Sequence, residues 1–81
     1  MWHCYILECS DGTLYTGITT DIEMRLNTHN SGKGAKYTRT RTPVILKWSK
    51  EFSDRPTAAK EEYRIKKLSR LEKIKIIENN Q

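Results

Sequence analysis

Residues 2–18, Trp2 to Ile18, read WHCYILECSDGTLYTGI, and this stretch decides the fold. Trp2 to Cys9 is an apolar, aromatic-rich run without Gly or Pro, which suits a strand buried on much of both faces. Ser10-Asp11-Gly12 is a turn signal, and Thr13 to Ile18 resumes strand-forming residues. The two runs read as a β-hairpin whose first strand is central in a sheet. Loop length then decides which side chains share a face, because a slip of one residue turns the whole second strand over. A two-residue loop sets Tyr5 and Tyr15 on opposite faces. A three-residue loop, with Gly12 in the left-handed conformation of a bulge, sets Leu7 opposite Tyr15 and Tyr5 opposite Gly17. Pattern alone leaves both open.

Working outward, Thr20-Asp21-Ile22-Glu23 fits a capping box, and Ile22 with Leu26 supplies an apolar pair, so a short helix is expected to about Asn30. Ser31-Gly32-Lys33-Gly34 ends it. Ala35 to Thr42 (AKYTRTRT) is basic around one tyrosine and reads either as a short second helix or as an ordered loop. Pro43 opens a third strand, Val44 to Phe52, whose later half alternates in polarity. Ser53-Asp54-Arg55-Pro56 is a helix start, and Thr57 to Leu68 continues without a breaker. Ser69-Arg70-Leu71-Glu72 is a second capping box, leading into a last helix through Ile77. The expected class is α+β, three strands flanked by helices, in the order β-β-α-(α)-β-α-α. There are no repeats and no low-complexity linkers.

A chain of 81 residues has room for one domain, expected to span 1–81, whose small core takes about two-thirds of the unfolded surface out of water. Fifteen Lys and Arg against ten Asp and Glu give a formal charge of +5, which favours a polyanionic partner, nucleic acid first. A basic surface serves plain solubility equally well. Cys4 and Cys9 lie five apart in one strand, on opposite faces and roughly 17 Å from each other at ~3.3 Å per residue, so they cannot bridge. With no Cys-x-x-Cys spacing they point to a reducing compartment and away from zinc. The N-terminus lacks the basic start and long apolar run of a signal peptide, and no segment approaches the ~20 apolar residues that span a bilayer. The expectation is a cytoplasmic protein with no membrane partner.

At about 100° per residue, Ala58, Ala59, Tyr63, Ile65 and Leu68 centre on one stripe, and Glu62 falls near its middle. A carboxylate there must pair with a cation, bind a metal or face a cleft. A structural salt bridge is the ordinary outcome, and Glu61 reads as a solvated residue towards the flank. Arg25 and His29, four apart, share a face beside Ile22 and Leu26. Arg there could clamp a phosphate and His could move a proton near neutral pH. Either one alone is more often a surface Arg and a half-buried His. Tyr5 and Tyr15, taken singly, are more often core than catalytic. Lys33, Lys36, Tyr37, Arg39 and Arg41 form a basic segment around an aromatic, as backbone contacts to nucleic acid require, although a solvated loop looks the same.

The combination is more telling than any member. Cys4-Tyr5-Ile6, Tyr15-Thr16-Gly17, Arg25, His29 and Glu62, in that order, resemble the GIY-YIG nucleases over nearly the whole chain. That family includes the N-terminal incision domain of bacterial excision-repair nucleases, nucleases that resolve branched DNA, and some homing and restriction endonucleases. The runs YTGITTD, SGKGAK and EYRIKKL are similar to those of small stand-alone bacterial members. The resemblance implies a GIY-YIG fold on a three-stranded antiparallel sheet with Tyr5 and Tyr15 on one active-site face, which favours the three-residue loop. It gives Gly17 a reason to lack a side chain, since a bulky group opposite Tyr5 would fill the cleft.

The resemblance also implies a metal-dependent endonuclease acting on DNA rather than RNA, in repair or recombination. A binding module without catalysis is the alternative on the same fold. Arg25 matches the phosphate-binding arginine, His29 a histidine found in several branches, and Glu62 the carboxylate that holds Mg²⁺ or Mn²⁺. A tyrosinate from Tyr5 or Tyr15 would activate water, but a phenol with pKa ~10 needs positive charge nearby. Cys4 replaces the glycine of the first motif and Thr16 the isoleucine of the second; neither position supplies a chemical group. Thr19 and Thr20 stand near where some members carry a lysine, a role Lys33 or Lys36 would take over. The chain lacks the DNA-targeting domain of larger relatives, so substrate choice is expected to be loose or set by a homodimer or a targeting protein partner.

Overall fold

The first turn closes on itself before the sheet forms. In the computed structural model, which describes residues 1–79, the Gly12 amide donates to the Cys9 carbonyl at 2.9 Å and the Cys9 amide to the Thr13 carbonyl at 2.8 Å. Gly12 sits at φ 84°, a left-handed conformation that costs glycine nothing. The loop therefore has three residues, and β1 (Trp2–Glu8) and β2 (Leu14–Thr19) pair antiparallel with Leu7 opposite Tyr15 and Tyr5 opposite Gly17. Of the two registers the sequence allows, this one puts both tyrosines on one face. The expected domain span runs past the described residues by Asn80 and Gln81, which lie outside them.

β3 (Ile45–Phe52) pairs antiparallel with the other edge of β1, giving a three-stranded sheet in the order β2-β1-β3. Ile6 faces Trp48 while Leu7 faces Leu46, so Lys47 is the extra residue of a bulge. Without it Leu46 and Trp48 would share a face. The bulge sends Trp48 to one side of the sheet and Leu46 to the other, and both find apolar partners there.

Those partners form two layers. On one face Cys4, Ile6 and Trp48 are buried with Ile65 of α2 (Arg55–Lys66) and Ile77 of α3 (Arg70–Asn79). On the other Tyr5, Leu7, Cys9 and Val44 are buried, with Tyr15, Leu46 and the Ile22 and Leu26 of α1 (Ile22–Asn30) packed against them. β1 is thus covered on both sides, as its uninterrupted apolar run requires. The two cysteines are free and buried in different layers. Thr16 is buried beside Ile6, and its Oγ1 has no hydrogen-bond partner among the described residues.

The helix ends show where local signals sufficed. The Asp54 carboxylate accepts from the Thr57 amide at 2.9 Å with Pro56 in the first turn, and Ser69 and Glu72 bond each other's amides reciprocally at 3.2 and 3.1 Å. At α1 the expected box starting on Thr20 does not form. Asp21 is the cap, accepting from Met24 N at 3.0 Å, because the Thr19 hydroxyl takes the Asp21 amide and moves the start one residue on. Ala35 to Thr42 is an ordered loop, a series of turns in which the Thr38 amide bonds Ala35 O and the Arg41 amide bonds Thr38 O. Asn30 ties that loop's far end, taking the Val44 amide at 2.7 Å and donating to its carbonyl at 3.3 Å.

On α2 the expected stripe is corrected at two positions. Tyr63 is exposed at 64%, its ring under the Lys67 ammonium, because it lies about 140° around the helix from Ala58, which faces the sheet. Glu61 is not a solvated flank residue: its side chain is only 18% exposed and grips Arg64 with both oxygens, at 2.7 and 3.0 Å.

Candidate active site

The hairpin register brings the two motif tyrosines to the face that α1 covers, and α1 turns Arg25 and His29 towards them. The Tyr5 hydroxyl is 3.0 Å from His29 Nε2. The Tyr15 ring stands edge-on to the same imidazole, 5.4 Å between centroids and inclined at 63°. The Arg25 guanidinium is near enough to the Tyr5 phenol to act on it as a positive charge. Four of the five expected residues therefore meet around one phenol.

Burial sets their protonation. It pushes the Tyr5 phenol above its ordinary value, and Arg25 pulls in the opposite direction without prevailing. Burial, reinforced by the Arg25 charge, holds His29 below its ordinary 6.5, so the imidazole is neutral at pH 7. His29 is fully buried, with Nδ1 2.7 Å from the Thr38 hydroxyl. Arg25 is the cation that acts on the Tyr5 phenol, while Lys33 and Lys36 are exposed.

Glu62 comes from α2, across the sheet from α1. Its carboxylate, 23% exposed, pairs with Lys66 at 3.3 Å and is felt as a negative charge by the Tyr5 phenol and by the Cys4 thiol. Cys4 is pushed up to about 12, by burial first and then by Glu61 and Glu62, and stays a neutral thiol. Among the described residues no cluster of three or more His, Cys, Asp or Glu could cage a metal. A hard cation that keeps most of its waters needs one oxygen ligand, and Glu62 offers a carboxylate whose only competing partner among the described residues is a half-exposed lysine. Its neighbour Glu61 is committed to Arg64.

Such an arrangement of residues is diagnostic. The family model for the GIY-YIG catalytic domain matches residues 1–75. The chain belongs to the GIY-YIG family. A UPF0213 protein of Halobacterium salinarum is 56% identical over 90% of this chain and 95% of its own, and one of Staphylococcus haemolyticus is 53% identical over 94% and 93%. The solution NMR structure of a Bacillus halodurans UPF0213 protein superposes with a TM-score of 0.62 at 47% identity, covering 96% of this chain and 84% of that one. An E. faecalis protein solved the same way gives 0.64 at 44% identity, covering 95% and 82%. These relatives make this a small, stand-alone branch of the GIY-YIG nucleases, a family that acts on nucleic acid and generally uses divalent metals.

The basic segment divides in two. Lys33, Lys36 and Arg39 are exposed on the loop. Arg41 is spent internally, bonding Asp11 at 2.9 Å and the Tyr37 carbonyl at 2.7 Å while lying 4.1 Å over the Tyr37 ring. Tyr37 stacks on Tyr15, 6.0 Å between centroids, which fastens the loop to the tyrosine face. Sequence reasoning missed Thr38 and Gly34. Both lie in this loop, and nothing in AKYTRTRT separates Thr38 from Thr40 or Thr42.

Two glycines in this GIY-YIG site are spaces that side chains use. A Cβ on Gly17 would stand 2.5 Å from the Tyr5 oxygen and 2.7 Å from Cζ, and one on Gly34 would overlap His29 Nδ1. Tyr5 is 2% exposed and has nowhere to retreat. Gly17→Ala should therefore break the Tyr5–His29 bond and cost about 1–3 kcal/mol of stability. Thermal unfolding checks the second and the Tyr5 ring chemical shifts the first. A variant with unchanged melting and unchanged shifts would show that the ring moves aside freely.

Proposed function

We propose that the protein is an endonuclease that hydrolyses phosphodiester bonds of nucleic acid, DNA before RNA, with Mg²⁺ or Mn²⁺. The observation that carries this reading is the Tyr5 hydroxyl held between a cation, Arg25, and a buried neutral base, His29. A core tyrosine needs a partner for its hydroxyl, but no guanidinium beside it. Phosphodiester hydrolysis has a very high uncatalysed barrier and needs a base for water and positive charge at the phosphate. Tyr5, rather than Tyr15, is our choice for that base, because its hydroxyl lies 3.0 Å from a buried imidazole nitrogen. Arg25 stabilises charge developing on the phosphate. Glu62 holds the cation, which when bound neutralises the phosphate and the leaving oxygen. Lys33, Lys36 and Arg39 contact the backbone beyond the scissile bond, and a dimer or a targeting partner sets substrate choice.

Nicking of single-stranded, duplex and branched DNA and of RNA, with Mg²⁺ or Mn²⁺ and with chelator, tests the proposal. Cutting should be lost in chelator. If nothing is cut and all substrates bind with steep salt dependence, the domain is a binding module instead.

The pH profile gives a second check. His29 must be neutral to accept a proton, and its folded pKa lies below 6.5. Cutting should hold from neutral pH down through 6.5 and fall only as the pH passes that lowered value. The contribution of neutral His29 to stability has the same sign: full above 6.5, where the unfolded side chain is also neutral, and lost as the pH falls through the folded value. An acid limb centred above 6.5 would remove His29 from the scheme.

A further inference from the structure

The proton of the His29 ring depends on a buried threonine of the loop between α1 and β3. Thr38 is fully buried, and its hydroxyl donates its single proton to the Ala35 carbonyl at 3.0 Å. The same carbonyl takes the Thr38 amide at 3.0 Å, so one acceptor holds both backbone and side chain. His29 Nδ1 lies 2.7 Å from that hydroxyl oxygen. With its proton directed at Ala35, the oxygen is left to accept, which favours a neutral ring with its proton on Nδ1. Nε2 is then the bare nitrogen, facing the Tyr5 hydroxyl at 3.0 Å. The loop backbone at Gly34 packs closely on the same ring: a Cβ there would overlap His29 Nδ1.

We propose that Thr38 is a positioning residue that holds His29 in the Nδ1–H tautomer, so that Nε2 is the acceptor for the Tyr5 proton. Its purpose rests on the nuclease reading, whereas its geometry does not. In the step it prepares, the Tyr5 O–H bond breaks and an N–H bond forms at Nε2. The attacking water gives its proton to the phenol oxygen as its own oxygen bonds to phosphorus, and the phosphorus bond to the leaving sugar oxygen breaks, that oxygen taking a proton from solvent. One proton has passed from the attacking water to the imidazole, which returns it to solvent. The groups around this ring are Tyr5 on β1, Tyr15 on β2, Arg25 on α1 and Thr38 on the loop. With the opposite tautomer, Tyr5 would face an N–H and have no acceptor.

Nitrogen-15 NMR of the His29 ring near neutral pH reads the tautomer in the protein without nucleic acid, and nicking kinetics reads the consequence. Wild type and Thr38→Ser should show Nδ1–H. Thr38→Val, which keeps the shape and removes the hydroxyl, should lose that preference and show kcat lower by roughly 10- to 100-fold at nearly unchanged KM. Thr38→Ala gives the same readout should the valine variant not fold. An Nε2–H ring in wild type overturns the proposal, as does a valine or alanine variant with the wild-type tautomer. If no protein cuts, the nuclease reading falls, while the NMR arm still decides what Thr38 does.

Discussion

Glu62→Gln should lower metal-dependent cutting by at least about 10²–10³-fold while leaving the protein folded. The amide keeps the size and one oxygen of the carboxylate but loses the charge that holds a divalent cation. Structure is spared because the only ion pair of Glu62 among the described residues is with Lys66, at 3.3 Å and with the lysine side chain 50% exposed, and such a pair contributes at most about 1 kcal/mol. The contrast with Glu61 sharpens the test. Glu61→Gln loses the two-oxygen grip on Arg64 and should cut like wild type. The measurement is plasmid nicking across Mg²⁺ and Mn²⁺ concentrations, with circular dichroism to verify folding. Residual cleavage equal in Glu62→Gln and wild type would identify a contaminant and sink the enzyme claim.

Ile65→Ala should be the most destabilising of the single changes considered. Ile65 has no exposed surface and joins α2 to the sheet through Cys4, Ile6 and Trp48, with Ile77 of α3 beside it. Truncating a buried isoleucine costs about 2–5 kcal/mol in lost transfer energy and cavity. A domain of this length has a total stability of only about 4–12 kcal/mol at the usual margin per residue. The midpoint of thermal unfolding should fall by roughly 10–30 °C, and some of the population should be unfolded at growth temperatures. Because Glu62 sits one turn earlier on the same helix, cutting should fall before melting is complete. A shift of only a few degrees would mean that α2 is held chiefly by something other than this contact.

Where a segment's partners lie within a few residues of it, the sequence was legible. Asp54 and Pro56 start α2, Ser69 and Glu72 start α3, and the run Trp2 to Cys9 demands cover on both faces; each is found. The cap of α1 was misplaced by one residue through a competing hydroxyl, Thr19, which no spacing rule weighs. Tyr63 and Glu61 were misjudged because the periodicity gives the angle of each side chain but not the width of the stripe that the sheet covers. Neither Thr38 nor Gly34 carries a local signal, since each matters only through a histidine on another element.

By itself, then, the sequence determined the element order, the helix starts of the second half, the family, and which side chains to look for at its site. It left two hairpin registers open, and the three-residue loop closed by Gly12 chose between them. That choice put Tyr5 and Tyr15 on one face, and the bulge at Lys47 let both sides of the sheet be filled. Tertiary structure alone decided which phenol meets the imidazole, which nitrogen of His29 faces it, and that Arg41 is tied down rather than free. The physical reason is range. Caps and turns are settled by hydrogen bonds spanning three or four residues, whereas a buried donor's partner is whatever the folded chain brings within about 3 Å, here over separations of 24 and 9 residues.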